Sequence, residues 1–143
     1  MNVFFDTSVL VPAVVDQLPN HAACFACFAQ YTTDDHTAFC SSHGLAEAYA
    51  VLTSLPLPRR ISSHDAWKLI ENSFLQRLTV VPLLESDYAR AIRDVAERGR
   101  TGGSVYDALH VAAAKKSDCE RIYTYNISHF EPLSPEEIAV TTP

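Results

Sequence analysis

No lysine or arginine precedes Arg59 in this chain of 143 residues. Asp6, Asp16, Asp34, Asp35 and Glu47 all fall in that stretch, so the N-terminal part carries acid without a fixed counter-charge. The net charge of −6 argues against non-specific nucleic-acid binding by the whole surface. The unevenness still allows an acidic part to hold a cation or receive a basic partner, while the later, basic part tracks phosphates. A chance scatter of solvated charge would give the same count. Long hydrophobic runs are missing too. None approaches the roughly 18 apolar residues of a membrane span, and no basic segment precedes the first apolar run. Neither a membrane span nor a signal peptide is therefore expected. Cysteine is limited to Cys24, Cys27, Cys40 and Cys119, at spacings that suit neither a disulfide framework nor a four-ligand zinc site. Cys24 and Cys27 form a CxxC inside an apolar helical stretch with no second pair. Buried free thiols in a reducing cytoplasm are the expectation. Glycine is scarce, and its only cluster, Gly99 to Gly103, is too short and wrongly spaced to cradle a phosphate. It reads as a mobile connector.

What is present is an alternation of short strands and helices along one domain, residues 1–143. Val3-Phe4-Phe5 is an apolar run of the kind buried on both faces of a parallel sheet. Asp6 ends it, and Val9 to Val15 reads as helix. Asn20 to Tyr31 is a helix apolar nearly all round, so much of it should be buried. Thr37 to Cys40 is a second strand, and Ser41 or Ser42 caps a helix to about Ser54, with Leu45, Ala48, Tyr49 and Leu52 inward. Pro56 and Pro58 enforce a loop. Ser62 and Asp65 have capping-box spacing for a helix to about Phe74, with Ala66, Trp67, Leu69, Ile70 and Phe74 as its apolar contacts. Leu78 to Pro82 is a third strand. Ser86 caps a helix to about Arg98, with Tyr88, Ala89, Ile92 and Val95 inward. Ser104 and Asp107 match a capping box at the head of a helix of Ala, Leu and Val broken only by His110. Arg121 to Thr124 is a fourth strand. Ser134-Pro135 starts a capped turn, and Ile138 to Val140 is a last strand. The economical architecture is an α/β three-layer sandwich, a mostly parallel central sheet with helices on both faces.

Three carboxylates occupy comparable places. Asp6 ends strand one, Glu47 lies on the helix after strand two, and Asp107 heads the helix before strand four. Asn126 lies just past strand four. Each has an ordinary alternative: Asp6 and Asp107 as helix caps, Glu47 as a surface glutamate. Ligands in such sheets bind outside the carboxyl ends of the strands. Two carboxylates about 4 Å apart repel by about 4 kcal/mol at an effective dielectric of about 20. They either take up protons or bind a cation. Oxygen-only ligands suit Mg²⁺ or Mn²⁺ rather than zinc.

Asp6-Thr7-Ser8, the helical Glu47, Ser104-Val105-Tyr106-Asp107-Ala108-Leu109-His110 and Thr124-Tyr125-Asn126-Ile127-Ser128-His129-Phe130 together resemble the motifs of PIN-domain nucleases, in particular the VapC toxins of bacterial toxin–antitoxin pairs. The ordered set spans essentially the whole chain. The resemblance implies a parallel sheet flanked by helices, an acidic Mg²⁺ or Mn²⁺ site, endoribonuclease activity, a homodimer and a VapB-type antitoxin. Carried over by position, Asp6, Glu47 and Asp107 match metal-site acids, with Asp6 and Asp107 as ligands, and Thr7 and Ser104 match nearby hydroxyls. The expected reaction is phosphodiester hydrolysis. Glu47 orients or deprotonates a water, and Asn126 hydrogen-bonds a water or the substrate. The sequence departs from many relatives at Asn126, where they have Asp, and a neutral amide is a weaker ligand. That favours one tightly held ion. Arg98, Arg100, Lys115 and Lys116 are candidate contacts to the RNA backbone.

Two rival readings stay open at this point. One is a PIN-like scaffold that has lost catalysis and binds a protein or RNA partner. The other is a phospho-receiver signalling domain, which needs an Asp after the third strand and a Lys after the last. Here the third strand ends Val81-Pro82-Leu83-Leu84, and no lysine follows Lys116.

Overall fold

Val3-Phe4-Phe5 forms the middle of a five-stranded, all-parallel sheet in the computed structural model, which describes residues 1–143. The strands are β1 (Asn2–Phe5), β2 (Thr37–Ser41), β3 (Thr79–Val81), β4 (Arg121–Tyr123) and β5 (Ala139–Thr141). Their spatial order is β3-β2-β1-β4-β5. Phe4 pairs with Phe39 on one side and Ile122 on the other. The chain builds outward from β1 to β3, then returns to the far side of β1 for β4. The order thus reverses beside β1, and such a switch point opens a crevice at the carboxyl ends of the strands. Asp6 follows β1 and Thr124 follows β4, so both stand at that crevice.

The helices are α1 (Thr7–Val14), α2 (His21–Tyr31), α3 (Ser42–Ser54), α4 (Ser63–Leu69), α5 (Glu85–Glu97), α6 (Ser104–Lys116) and the short α7 (Ile127–Phe130). A π-helical segment, Ile70–Leu75, extends α4, and a 3₁₀ turn, Glu131–Leu133, follows α7. Side chains of a strand alternate between faces. Val3 and Phe5 therefore join Ala38 and Cys40 against α1 to α4, while Phe4 meets Val81, Ile122 and residues of α5, α6 and α7. These two apolar layers around one sheet are the expected three-layer sandwich.

Several local expectations change. Only one side of α2 is buried, through Cys24, Cys27, Phe28 and Tyr31, and Phe25 is 51% exposed. Tyr49, Trp67 and Ile92 also face outward, while Gly44 and Ala91 are buried on their helices. An apolar residue is not bound to the core, because a folded surface remains more than half apolar. Ser62 does cap α4 by accepting the Asp65 N–H at 3.1 Å. Ser86 does not cap α5. That helix starts at Glu85, and the Asp87 carboxylate accepts the Leu84 N–H at 2.8 Å. Gly99 and Gly102 both have positive φ, so the glycine-bearing connector between α5 and α6 uses left-handed backbone that other residues resist. The turn expected after Ser134 does form, the Ile138 N–H donating to the Pro135 carbonyl at 3.1 Å, while the final strand lies one residue later than expected.

All four cysteines are free and buried. Burial opposes the thiolate, lifting Cys40 and Cys119 from the ordinary 9.0 to about 12 and Cys27 to about 11. Groups whose folded pKa is raised stabilise fully below the unfolded value and lose that contribution as pH rises through the folded one. The melting temperature, measured in reductant, should hold up to about pH 9 and fall between 9 and 12. Replacing Cys40 and Cys119 with alanine should flatten that alkaline slope. An unchanged slope would contradict the assignment.

Candidate functional site

Asp6 is placed by β1 and almost wholly enclosed, at 3% exposure. Its N–H donates to the Tyr123 carbonyl at 3.0 Å, continuing the β1–β4 ladder one residue beyond the strand. It stands at the N-cap of α1, but its side chain makes no capping bond. Instead Oδ2 accepts hydrogen bonds from Ser8 Oγ at 2.7 Å and Thr124 Oγ1 at 2.8 Å. Thr124 Oγ1 also accepts the Asn126 N–H, and Ser8 Oγ the Tyr125 N–H. Two hydroxyls thus fix one carboxylate oxygen and leave Oδ1 facing the crevice.

Glu47 and His110 meet that oxygen. His110 Nε2 lies 3.7 Å from Asp6 Oδ1 and 3.4 Å from Glu47 Oε1. One donor atom from each of the three lies within 4.8 Å of the others. His110 is 1% exposed, and its Nδ1 is 3.0 Å from Ser41 Oγ. Ser41 is the N-cap of α3, its Oγ accepting the Gly44 N–H at 2.9 Å. His43, one turn before Glu47, approaches the other carboxylate oxygen at 3.5 Å and stacks on Tyr106 with centroids 5.0 Å apart. Glu47 is therefore no ordinary surface glutamate.

Asp107 borders this group from α6. The expected capping box is absent: Gly103 is the N-cap, Ser104 is the first helical residue, and no side chain caps the helix. The carboxylate has no cap to serve, and His129 Nδ1 lies 3.9 Å from it. Burial and then the Asp6 charge raise its pKa. Burial opposes charge on Glu47 as well, but His110, Thr7 and His43 overcome it and hold the carboxyl at about 2. For His110 the balance runs the other way. Burial disfavours the imidazolium, yet Glu47, Asp6 and Asp107 together raise the ring's pKa. The crevice is a strongly negative enclosure that draws positive charge.

The remaining sequence-selected residues lie in different settings. Thr7 is buried with its hydroxyl beside Glu47, whose carboxyl it helps hold low, although Oγ1 meets no partner at full hydrogen-bonding geometry. Asn126 is exposed at the N-cap of α7, its side chain making no cap bond. Arg98 is tied to Asp94 by Nε at 2.9 Å and to the Pro132 carbonyl by Nη1 at 2.7 Å. Lys116 binds the Pro82 carbonyl and Asp87. Arg98, Lys115 and Lys116 line a cavity of about 540 Å³ between α5 and α6, shared with Asp87 and Asp94. Arg100 is half-buried at the end of α5.

Ser8, Ser41, Thr124 and His110 join the site, although the sequence alone gives none of them a role there. His110 did leave a signal, as the lone polar residue within an apolar helical run. Three residues after Asp107, it shares that residue's helix face. The group fits a divalent cation on the structure's own terms. Carboxylate oxygens converge with no fixed cation between them, and the buried His110 Nε2 is aimed among them without a hydrogen-bonding partner. Asp6, Glu47 and His110 are the side chains whose donor atoms converge to hold it, with Asp107 bordering them as a further carboxylate. The strand order also differs from the 2-1-3-4-5 order of receiver domains.

Comparison with known proteins gives a consistent result. The PIN domain family model matches residues 3–131. Ribonuclease VapC27 of Mycobacterium tuberculosis is 39% identical over 116 residues, 80% of this chain and 78% of that protein. The crystal structure of Mycobacterium tuberculosis VapC20, described as a Sarcin-Ricin loop cleaving toxin, superposes with a TM-score of 0.74 at 17% identity. It covers 94% of this chain and 97% of that one. FitAcB from Neisseria gonorrhoeae gives 0.70 at 18% identity over 99% and 97%. VapBC2 from Rickettsia felis, bound to a DNA fragment from their promoter, gives 0.67 at 17% identity over the full length of both. At these identities the solved structures speak to the fold alone. No helix of the chain is long and apolar enough to cross a membrane.

Proposed function

This chain belongs to the PIN-domain family, and we propose that it is a metal-dependent endoribonuclease, the toxin of a VapBC-type pair. The observation that carries the reading is the convergence of Asp6, Glu47 and His110 donor atoms within 4.8 Å at the strand-order reversal, with Asp107 alongside. Asp6 and Asp107 would hold one Mg²⁺ or Mn²⁺ ion. Asn126 supplies no charge for a second, and its amide is free to hydrogen-bond a water or the substrate. When bound, such an ion stabilises charge on a phosphoryl oxygen and lowers the pKa of water.

The chain's own residues set the geometry. Ser8 and Thr124 fix Asp6 Oδ2 and so aim Oδ1 into the crevice. Glu47, held ionised, accepts a hydrogen bond from the attacking water and orients it for in-line attack on the scissile phosphate. Hydrolysis in that sense leaves a 3′-hydroxyl and a 5′-phosphate. Thr7 offers a hydroxyl beside Glu47, and Ser104, at the head of α6, is a proposed substrate contact. Arg98 and Arg100 are proposed contacts to the RNA backbone.

A VapB-type antitoxin and a second copy of the chain are the proposed protein partners. The absence of Lys and Arg before Arg59 suits a basic antitoxin segment covering the site. The name of the 39% identical relative, ribonuclease VapC27, supports the toxin reading.

Incubation of the purified chain with total RNA tests the activity. Cleavage is expected with Mg²⁺ or Mn²⁺, is expected to stop with EDTA, and should resume when the ion is restored. Products should carry 5′-phosphates. Cleavage that persists in EDTA would remove the mechanism, and absence of cleavage with either ion would leave a binding scaffold.

A further inference from the structure

The imidazole of His110 takes no step in the reaction just described, yet it is almost wholly enclosed at the site. Its ring is 1% exposed and lies nearly parallel to Phe130, at 15°, with centroids 6.3 Å apart. Phe4 packs against it at 5.9 Å. A side chain at Gly44 would crowd both Ser41 Oγ, at 3.3 Å, and His110 Cε1, at 3.5 Å, so glycine there lets α3 close over the pair. Nδ1 is occupied by Ser41 Oγ at 3.0 Å. Nε2 is left buried, without a hydrogen-bonding partner, and aimed between two carboxylates.

The spacing around Nε2 is informative. Hydrogen bonds from an imidazole N–H to oxygen span about 2.7–3.2 Å. Asp6 Oδ1 and Glu47 Oε1 stand off at 3.7 and 3.4 Å. With metal–ligand bonds of about 2.1 Å, adjacent ligands of an octahedron lie about 3.0 Å apart and opposite ones about 4.2 Å. Both observed separations fall between those limits. Metal-ligating histidines typically donate their second ring N–H to a fixed acceptor, and Ser41 Oγ is placed to accept it.

Building on the nuclease reading above, we propose that His110 Nε2 is a nitrogen ligand of the divalent ion beside Asp6, and that it tilts the site from Mg²⁺ toward Mn²⁺ and its first-row neighbours. Mg²⁺ is best served by oxygen ligands and waters, whereas imidazole binds transition ions more tightly. Asp107 and His110, three residues apart on α6, thus supply an oxygen and a nitrogen from one helix face.

Pulsed EPR on the Mn²⁺-loaded protein tests this without reference to activity. The wild type should show ¹⁴N modulation that converts to the ¹⁵N pattern when histidine is labelled. It should vanish in His110→Gln and survive in His43→Gln, which alters the half-exposed neighbour. Losing an outer-shell partner costs about 10–100-fold in metal affinity, so His110→Gln should weaken Mn²⁺ binding at least that much and Mg²⁺ binding less. Bound Mn²⁺ without ¹⁴N modulation in the wild type overturns the proposal, as does modulation lost in His43→Gln. Should His110→Gln not fold, the wild-type and His43→Gln spectra decide the matter. Mn²⁺ binding and RNA cleavage without nitrogen coupling would remove the ligand and leave the nuclease standing. Nitrogen coupling without cleavage would do the reverse, and no Mn²⁺ binding would end the proposal while Mg²⁺-dependent cleavage would still uphold the nuclease.

Discussion

Asp6→Asn should lower RNA cleavage by about a thousandfold or more while leaving the fold intact. Asp6 is the carboxylate at the strand-order reversal, and it offers Oδ1 to the crevice while Oδ2 is held by Ser8 and Thr124. A bound ion contributes several kcal/mol of transition-state stabilisation, and about 4 kcal/mol corresponds to about a thousandfold in rate. Asparagine keeps the volume, and its carbonyl can still accept from both hydroxyls. It removes the charge, and with it the main reason for a cation to stay. The fold has no need of that charge, since the side chain does not cap α1. Calorimetry should show lost Mn²⁺ affinity, and circular dichroism an unchanged fold. Wild-type cleavage by a folded Asp6→Asn protein would remove the mechanism.

Glu47→Gln should cost about 10²–10⁴ in cleavage rate, the range for a side chain that handles a proton or its water in the transition state. Ion affinity should fall by less than the rate, because Asp6 and Asp107 are the proposed carboxylate ligands. The glutamate carboxyl is held at about 2, so it remains ionised at every ordinary assay pH. Glutamine preserves the shape beside His43 and His110 but no longer presents an anionic acceptor to the water. A single-turnover assay at saturating Mn²⁺ separates the two effects. A rate loss fully restored by more metal would make Glu47 a ligand only, and an unchanged rate would take it out of the reaction.

Much of this arrangement is legible in the linear chain, for identifiable reasons. The run Val3-Phe4-Phe5 closed by Asp6 carries a strong local signal, because a strand buried on both faces must be continuously apolar and its end is marked by the first charge. The two prolines after α3 and the Ser62 cap are equally local. Residues that act through tertiary partners are harder to read. Ser104 and Asp107 have capping-box spacing, yet Gly103 caps α6, and the carboxylate turns to the crevice. Thr124 looks like the last residue of a strand and is instead a support for Asp6 from 118 positions away. Phe25 on α2, Trp67 on α4 and Ile92 on α5 fit apolar helical patterns and still face outward. Periodicity locates an apolar face, but only the packed neighbours decide how much of it is covered. His110 sits between these cases: its oddness within α6 was visible, while its meeting with Ser41, Asp6 and Glu47 required the fold.

Anomalous diffraction from crystals soaked in Mn²⁺ tests the central claim most directly. The account predicts one strong peak in the crevice beyond β1 and β4, within bonding distance, about 2.0–2.6 Å, of Asp6 and at least one of Asp107, Glu47 and His110. No peak there, or a Mn²⁺ ion bound only elsewhere on the surface, would contradict it.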